Sequence, residues 1–204
     1  MVTKLIVAPD VFLWREKFSP LEQKALRDDI LARLVQAPLY RPVMPNTGKP
    51  FSVEESNFGA LGWVSDKSGY RYQPMHPVTN TPWPAIPQPL LDLWAEINTG
   101  RAPECCLVNF YRGSAKMGLH QDRDEKDASA AVIGVSLGDD ALFRIGSTIR
   151  GGKTVSVPLA SGDVIAFGGD ARLAYHGIDR IKPGSSQLLA GGGRLSLTLR
   201  RVSS

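Results

Sequence analysis

Cysteine and histidine are both scarce in this chain. Two cysteines occur in 204 residues, adjacent at Cys105 and Cys106. Sequence neighbours cannot close an ordinary structural bridge, which excludes a disulfide framework and a cysteine-rich zinc site. The only histidines are His76, His120 and His176, so any imidazole chemistry has three candidates. No uninterrupted apolar run reaches the roughly 18 residues of a membrane span, and mean hydropathy is -0.12. Ahead of Pro9 and Asp10 the apolar run Leu5–Ala8 is too short for a signal-peptide core. The expectation is a cytoplasmic protein with no membrane partner. Internal repeats are missing too, and the one low-complexity run is Gly191–Gly193.

What remains is an ordinary globular composition, 43% hydrophobic and 22% charged. Its length corresponds to about one domain, here residues 1–204 as a unit. The formal charge of +4 permits a polyanionic partner without requiring one.

Ser19-Pro20-Leu21-Glu22 is a helix start, with a serine N-cap, proline at the first helical position and glutamate three residues after the cap. Leu26, Ile30 and Leu34 continue it as an apolar stripe that Leu21 and Leu31 should broaden, until Pro38 ends it. A second helix is expected over about 88–98, carrying Leu90, Trp94 and Ile97 on one face. Between the two, residues 38–89 hold ten of the fifteen prolines, with Phe51, Phe58, Trp63, Tyr70, Tyr72 and Trp83 among them. So long a stretch of weak periodicity is unusual in a compact domain, and its aromatics argue against disorder. It reads either as a cover with its own satellite core or as a lid, over about 40–89, that offers aromatic faces to a flat ligand.

From Glu104 the pattern is strand after strand: 105–111, 131–137, 141–145, 153–159, 163–167 and 194–201. Gly138-Asp139-Asp140 and Ala160-Ser161-Gly162 read as hairpin turns. The expected fold is mainly β with flanking helices (α+β), a double-stranded β-helix or jelly roll over about 104–201 with the helices outside.

His120-Gln121-Asp122 places an imidazole and a carboxylate on one face of an extended chain, and His176 follows in Tyr175-His176-Gly177. Two histidines and a carboxylate make the facial triad of non-haem Fe(II) oxygenases, although a histidine in a β protein is more often a core or surface residue. The last strand adds weight. Leu195, Leu197 and Leu199 alternate with Arg194, Ser196, Thr198 and Arg200. If the leucine face is buried in a central strand, the polar face lines a cavity, and two arginines there call for an anion. Their Cα atoms lie roughly 20 Å apart along a strand, and with both side chains reaching inward the remaining gap suits a short dicarboxylate such as 2-oxoglutarate. Asn109 and Tyr111, spaced i and i+2, can add an amide and a phenol.

These motifs, together with Asn109-Phe110-Tyr111, Leu119-His120-Gln121-Asp122-Arg123-Asp124-Glu125, Phe167-Gly168-Gly169-Asp170-Ala171-Arg172, Leu61-Gly62-Trp63, Gly69-Tyr70-Arg71-Tyr72 and Asn80-Thr81-Pro82-Trp83-Pro84, resemble the AlkB family of Fe(II)/2-oxoglutarate nucleic-acid dealkylases over roughly residues 40–201. The resemblance implies Fe(II), 2-oxoglutarate and dioxygen as cofactors, with ascorbate as a reductant in vitro. It implies His120, Asp122 and His176 as metal ligands and catalytic residues. Asn109, Phe110, Tyr111, Arg194, Ser196, Thr198 and Arg200 would form the 2-oxoglutarate site, with Arg194 on the distal carboxylate and Arg200 near the metal-proximal one. Trp63, Tyr70, Arg71, Tyr72, Asp124 and Arg150 would contact the substrate, Trp63 and His176 sandwiching a flipped base and Asp124 facing it.

The implied reaction is oxidative demethylation of bases such as 1-methyladenine and 3-methylcytosine in alkylated DNA, single-stranded by preference, by a monomer. Double-stranded DNA, RNA or tRNA, or a protein side chain remain alternative substrates, and a non-catalytic alkylated-base-binding protein is an alternative of another class. Ser196 departs from the family, which carries asparagine there, so weaker cosubstrate binding is expected. Phe167 replaces a tryptophan as a packing change. Lys116, Arg123, Arg150 and Arg172 are candidate phosphate contacts, with surface solvation as the alternative for each. His76 reads as a loop histidine without a metal role.

Overall fold

A computed structural model describes residues 3–98 and 100–204. In chain order the elements are β1 (Lys4–Ala8), β2 (Val11–Trp14), α1 (Pro20–Gln36), β3 (Glu54–Phe58), β4 (Gly62–Asp66), β5 (Gly69–Gln73), α2 (Gln88–Ile97), β6 (Cys105–Tyr111), β7 (Met117–His120), β8 (Val132–Gly138), β9 (Asp140–Ile145), β10 (Val155–Leu159), β11 (Val164–Phe167), β12 (His176–Lys182) and β13 (Arg194–Arg200). A seven-stranded sheet runs β1-β2-β11-β8-β13-β6-β3 and faces a four-stranded sheet, β10-β9-β12-β7, with β4-β5 as a separate hairpin. This is the jelly roll the strand spacing predicts.

β13 sits between β8 and β6, and its alternation sorts the two sides of the large sheet. Leu195, Leu197 and Leu199 join Leu26, Ile30, Leu90 and Trp94 in a core between the sheet and the two helices. Each such buried leucine contributes about 1.5–3 kcal/mol. On the other side Leu13, Phe143, Ile145, Leu159, Ile165 and Ile178 fill the space between the two sheets. Arg194, Ser196, Thr198 and Arg200 face that interior as well, where packing gives way to a cavity.

In α1 the Ser19 hydroxyl accepts from the Glu22 amide, and the Glu22 carboxylate accepts from the Ser19 amide at 2.8 Å, a closed capping box. The apolar stripe is narrower than expected. Leu26 and Ile30 are buried, whereas Leu21 and Leu31 are 78% and 47% exposed. At about 100° per residue Leu31 lies about a quarter turn off the buried ridge and Leu21 nearly half a turn.

Three further expectations are corrected. Neither predicted hairpin turn is one: β8 and β9, and likewise β10 and β11, belong to different sheets, and each turn carries the chain from one sheet to the other. Gly138 makes the first step with φ +92°, where a Cβ would meet the Gly193 carbonyl at 2.4 Å. Buried Asp139 then ties the corner down by accepting from the Ser186 and Gly193 amides at 3.1 and 2.9 Å. The segment around Leu5–Ala8 forms β1, whose pairing with β2 extends the large sheet beyond residues 104–201. Within 40–89, β3 is an edge strand of that same sheet, so only β4–β5 and the flanking turns stand outside it. His76 is buried with its Nε2 at 2.8 Å from the Pro38 carbonyl, and it packs on Tyr40 and Trp83. Cys105 and Cys106 point to opposite faces of β6, into separate clusters. Among the described residues no helix is long and apolar enough to cross a membrane.

Candidate active site

His120 ends β7 and His176 opens β12, and the two are direct partners in the antiparallel ladder. Asp122 follows two residues after His120. The ligand atoms of the three lie within 4.8 Å of one another, with the His120 and His176 Nε2 atoms 3.6 and 3.8 Å from the Asp122 carboxylate. Each Nδ1 is 3.0 or 2.9 Å from a backbone carbonyl two residues earlier, Gly118 for His120 and Ala174 for His176. An N–H at Nδ1 satisfies those carbonyls, leaving the Nε2 lone pairs aimed inward beside a carboxylate. Three acceptors converging without a proton among them are a cation site, and two imidazoles with one carboxylate on a single face suit Fe(II).

Electrostatics favours the ligating forms of His176 and Asp122; at His120 burial alone would lower the imidazole, but the Asp122 carboxylate beside it raises it. Burial pushes the His176 imidazole down to about 4, which keeps it neutral. Burial alone would raise Asp122, but the Arg200 guanidinium and the two imidazoles hold it well below the usual carboxylate range. Arg200 grips both Asp122 oxygens, from Nε at 3.0 Å and Nη2 at 2.8 Å.

A cavity of about 820 Å³ opens between the sheets around this triad. At its far end is Arg194, 2% exposed. Its Nη2 donates to Ser136 Oγ at 2.9 Å and its guanidinium lies 5.3 Å from the Tyr111 ring. Among the described residues its Nε and Nη1 have no partner, nor does Asn109 Oδ1. A guanidinium buried without an anion is costly, and desolvation draws its pKa down. The unpaired donors of Arg194, with Tyr111 beside them and the metal triad at the other end, fit a dicarboxylate that reaches both.

Of the predicted cosubstrate residues, Asn109, Tyr111, Arg194, Ser196, Thr198 and Arg200 line this cavity. Phe110 does not: strand alternation turns it into the helix-side core.

Trp63, Tyr70, Asp124 and Arg150 also line the cavity. Trp63 stacks on Tyr70, centroids 5.4 Å apart and planes 19° from parallel, and its Nε1 donates to Asp124 Oδ2 at 2.8 Å. Arg71 lies on the opposite face of the β4–β5 hairpin, forked onto Asp66 at 2.7 and 3.0 Å. Tyr72 is turned to the network behind the cavity wall, its hydroxyl donating to Glu125.

Lys116 and Arg123 join Arg150 at the lining, but Arg172 is no surface cation. It is buried, donating to the Asp122 carbonyl at 2.9 Å, the Ala130 carbonyl at 3.1 Å and Glu125 Oε2 at 3.1 Å, so it holds the 122–130 loop in place. Glu55, Ser136, Glu125 and this clamp are contributions that sequence reasoning missed. Glu55 sits in Val53-Glu54-Glu55-Ser56, where adjacent charges hide the strand period.

The family model described as "2OG-Fe(II) oxygenase superfamily" matches residues 12–200. The chain is 51% identical to an "Alpha-ketoglutarate-dependent dioxygenase AlkB homolog" of Caulobacter vibrioides, over 99% of this chain and 92% of that protein. It is 39% identical to "Alpha-ketoglutarate-dependent dioxygenase AlkB" of Escherichia coli, over 97% of this chain and 92% of that protein. The solved structure of OsALKBH1 superposes with a TM-score of 0.83 at 29% identity, covering 98% of this chain and all of that one.

Proposed function

Because this chain belongs to the 2OG-Fe(II) oxygenase superfamily and, within it, to the AlkB dioxygenases, we propose that it removes N-linked methyl groups from alkylated nucleic-acid bases, such as 1-methyladenine and 3-methylcytosine, in single-stranded DNA. The observation that carries this reading is the aromatic pair Trp63–Tyr70, joined to the acid Asp124, at the rim of a cavity whose floor is the metal triad.

His120, Asp122 and His176 would hold Fe(II), which with 2-oxoglutarate and dioxygen would supply the oxidising power to hydroxylate an N-methyl carbon, the cosubstrate leaving as succinate and carbon dioxide and the hydroxymethyl group as formaldehyde. The chain's own residues do the rest. Arg194 and Tyr111 bind the distal carboxylate, and Asn109 with Arg200 orients the end nearer the metal. The apolar walls Phe143, Leu159, Ile165 and Phe167 exclude water. Trp63 and Tyr70 give a flipped base a π-face, worth about 1–3 kcal/mol. Methylation at a pairing position has already unpaired that base, which makes flipping cheap, and it leaves the ring cationic. Asp124, a carboxylate beside the stacking face, favours that cation over the neutral parent base. Lys116, Arg123 and Arg150, cations that line the same cavity, are the proposed contacts for the phosphate backbone. Under the same proposal the enzyme acts in the cytoplasm as a monomer.

The test is release of formaldehyde and succinate from methylated oligonucleotides given Fe(II), 2-oxoglutarate and ascorbate, with matched DNA, RNA and peptide substrates compared. Tight binding of the lesion without turnover would overturn the catalytic reading. Faster turnover on RNA or peptide would overturn the DNA assignment.

A further inference from the structure

One buried acid in the cavity has no part in the chemistry above. Glu55, on the edge strand β3, is 1% exposed and lines the cavity, and among the described residues its Oε2 has no hydrogen-bond partner. Its register partner on β6 is Asn109, whose partner on β13 is Ser196, itself opposite Ser136 on β8. Four polar residues thus form one row across four adjacent strands, all facing the cavity. Directly opposed side chains in such a ladder have Cβ atoms about 4.5–5.5 Å apart, within reach of a carboxyl-to-amide hydrogen bond. Asn109 Oδ1 is the other sealed, unpartnered atom in this row.

Two acceptor oxygens cannot satisfy each other, and a single proton resolves both. We propose that Glu55 is a positioning residue, held as a neutral carboxylic acid that donates its O–H to Asn109 Oδ1, so that the Asn109 amide turns its NH2 toward 2-oxoglutarate. The inference rests on the assignment of Asn109 to 2-oxoglutarate made above. An amide is ambiguous, since either end can face the cavity, and an anion needs the donor end. Ser196, with a single hydroxyl, offers no second amide in the row, which leaves Asn109 as its only NH2 donor.

Burial, opposed only by Arg200, pushes the Glu55 carboxyl up to about 8, so the acid is neutral at physiological pH. The groups that face it are Tyr40 from the preceding segment, Tyr111 on β6, Arg194 and Arg200 on β13, and the metal-binding histidines across the cavity. Burial pushes Tyr111 up to about 12 and Tyr40 higher still, and the arginines stay charged. With the metal in place the histidines are neutral ligands. Between about pH 7 and pH 9, therefore, Glu55 is the group in this cluster that changes charge.

The experiment is equilibrium titration of 2-oxoglutarate into anaerobic, Fe(II)-loaded protein. Wild type is compared with Glu55→Gln, Glu55→Leu and Asn109→Ala, each assayed well below its own melting temperature. Glu55→Leu should weaken binding about tenfold, the loss of one buried hydrogen bond to the orienting amide. Glu55→Gln, which keeps a donor at every pH, should bind within about twofold of wild type near pH 7. Wild type should then weaken toward pH 9 while Glu55→Gln does not. Wild-type affinity in Glu55→Leu, or the same alkaline loss in Glu55→Gln, would overturn the proposal. If Glu55→Leu does not fold, the glutamine pH profile decides alone. Weakening in Asn109→Ala with none in Glu55→Leu refutes the role of Glu55 only. Unchanged binding in Asn109→Ala refutes the assignment of Asn109 and the inference with it.

Discussion

Arg200 holds both carboxylate oxygens of Asp122, at 3.0 and 2.8 Å, with both side chains nearly sealed from solvent. The carboxylate of the candidate metal triad is thus kept ionised and aimed by the strand that also carries the buried Arg194. Truncating Arg200 leaves a buried carboxylate with only two imidazoles beside it and no guanidinium. Breaking a buried pair in this way costs about 3–5 kcal/mol. Arg200→Ala should therefore melt well below wild type without metal, and saturating Fe(II) or Mn(II) should recover part of the difference by supplying the missing charge. Scanning calorimetry with and without metal checks both halves. Equal melting temperatures in the metal-free proteins would show that the pair has no such role.

His120→Ala and Asp122→Ala should each abolish metal retention and turnover together, because two remaining ligands do not complete a facial site. Metal content by elemental analysis, set beside formaldehyde release, is the check. Iron at wild-type stoichiometry in either variant would refute the triad.

Trp63 Nε1 donates to Asp124 Oδ2, so under the proposed function the acid would have two separable roles, orienting the indole and placing negative charge beside the base. Asp124→Asn keeps an acceptor for the indole and removes only the charge. It should retain binding of an oligonucleotide whose bases are unmethylated and neutral but lose about tenfold or less in preference for a cationic methylated base, an interaction of about 1 kcal/mol in a solvated setting. Trp63→Ala should instead raise KM for every oligonucleotide by about tenfold, from the lost stacking, with KM for 2-oxoglutarate unchanged. Steady-state kinetics on methylated and unmethylated competitors distinguishes the two patterns.

The parts of this molecule legible in the sequence are those with a strict period or a short motif. β13 announces itself because three leucines alternate with four polar residues, and α1 because Ser19, Pro20 and Glu22 leave its start in no doubt. The triad follows from an i, i+2 pair and the shortage of other histidines. The rest depends on pairing partners far away in sequence. β3 is acidic or polar at all but its last residue, Glu54-Glu55-Ser56-Asn57 before Phe58, and becomes a strand only because β6 lies beside it with its hydrogen-bonding edge free. The Gly138 and Gly162 turns have the composition of hairpins, and only the sheet assignment of the next strand reveals the step between sheets. Arg172 looks like a surface cation in Asp170-Ala171-Arg172 until the 122–130 loop folds over it.

The raised Glu55 pKa has a consequence for stability that is independent of ligand binding. The folded acid titrates at about 8, whereas the unfolded side chain titrates near its ordinary value of about 4.3. Between those two values the folded state binds more protons than the unfolded one, so stability falls as pH rises. Below the lower value there is no penalty, and above about 8 the penalty is complete and constant. Glu55→Gln removes the titration while keeping the shape. The variant should match wild type near pH 4 to 5, gain on it progressively toward pH 8, and hold a constant advantage above that, about a few kcal/mol at most. Denaturant midpoints for both metal-free proteins across this range measure the difference directly, and charges common to both cancel. A difference independent of pH would place the folded carboxyl at its ordinary pKa, and an advantage that grew toward acid would reverse the sign of its shift.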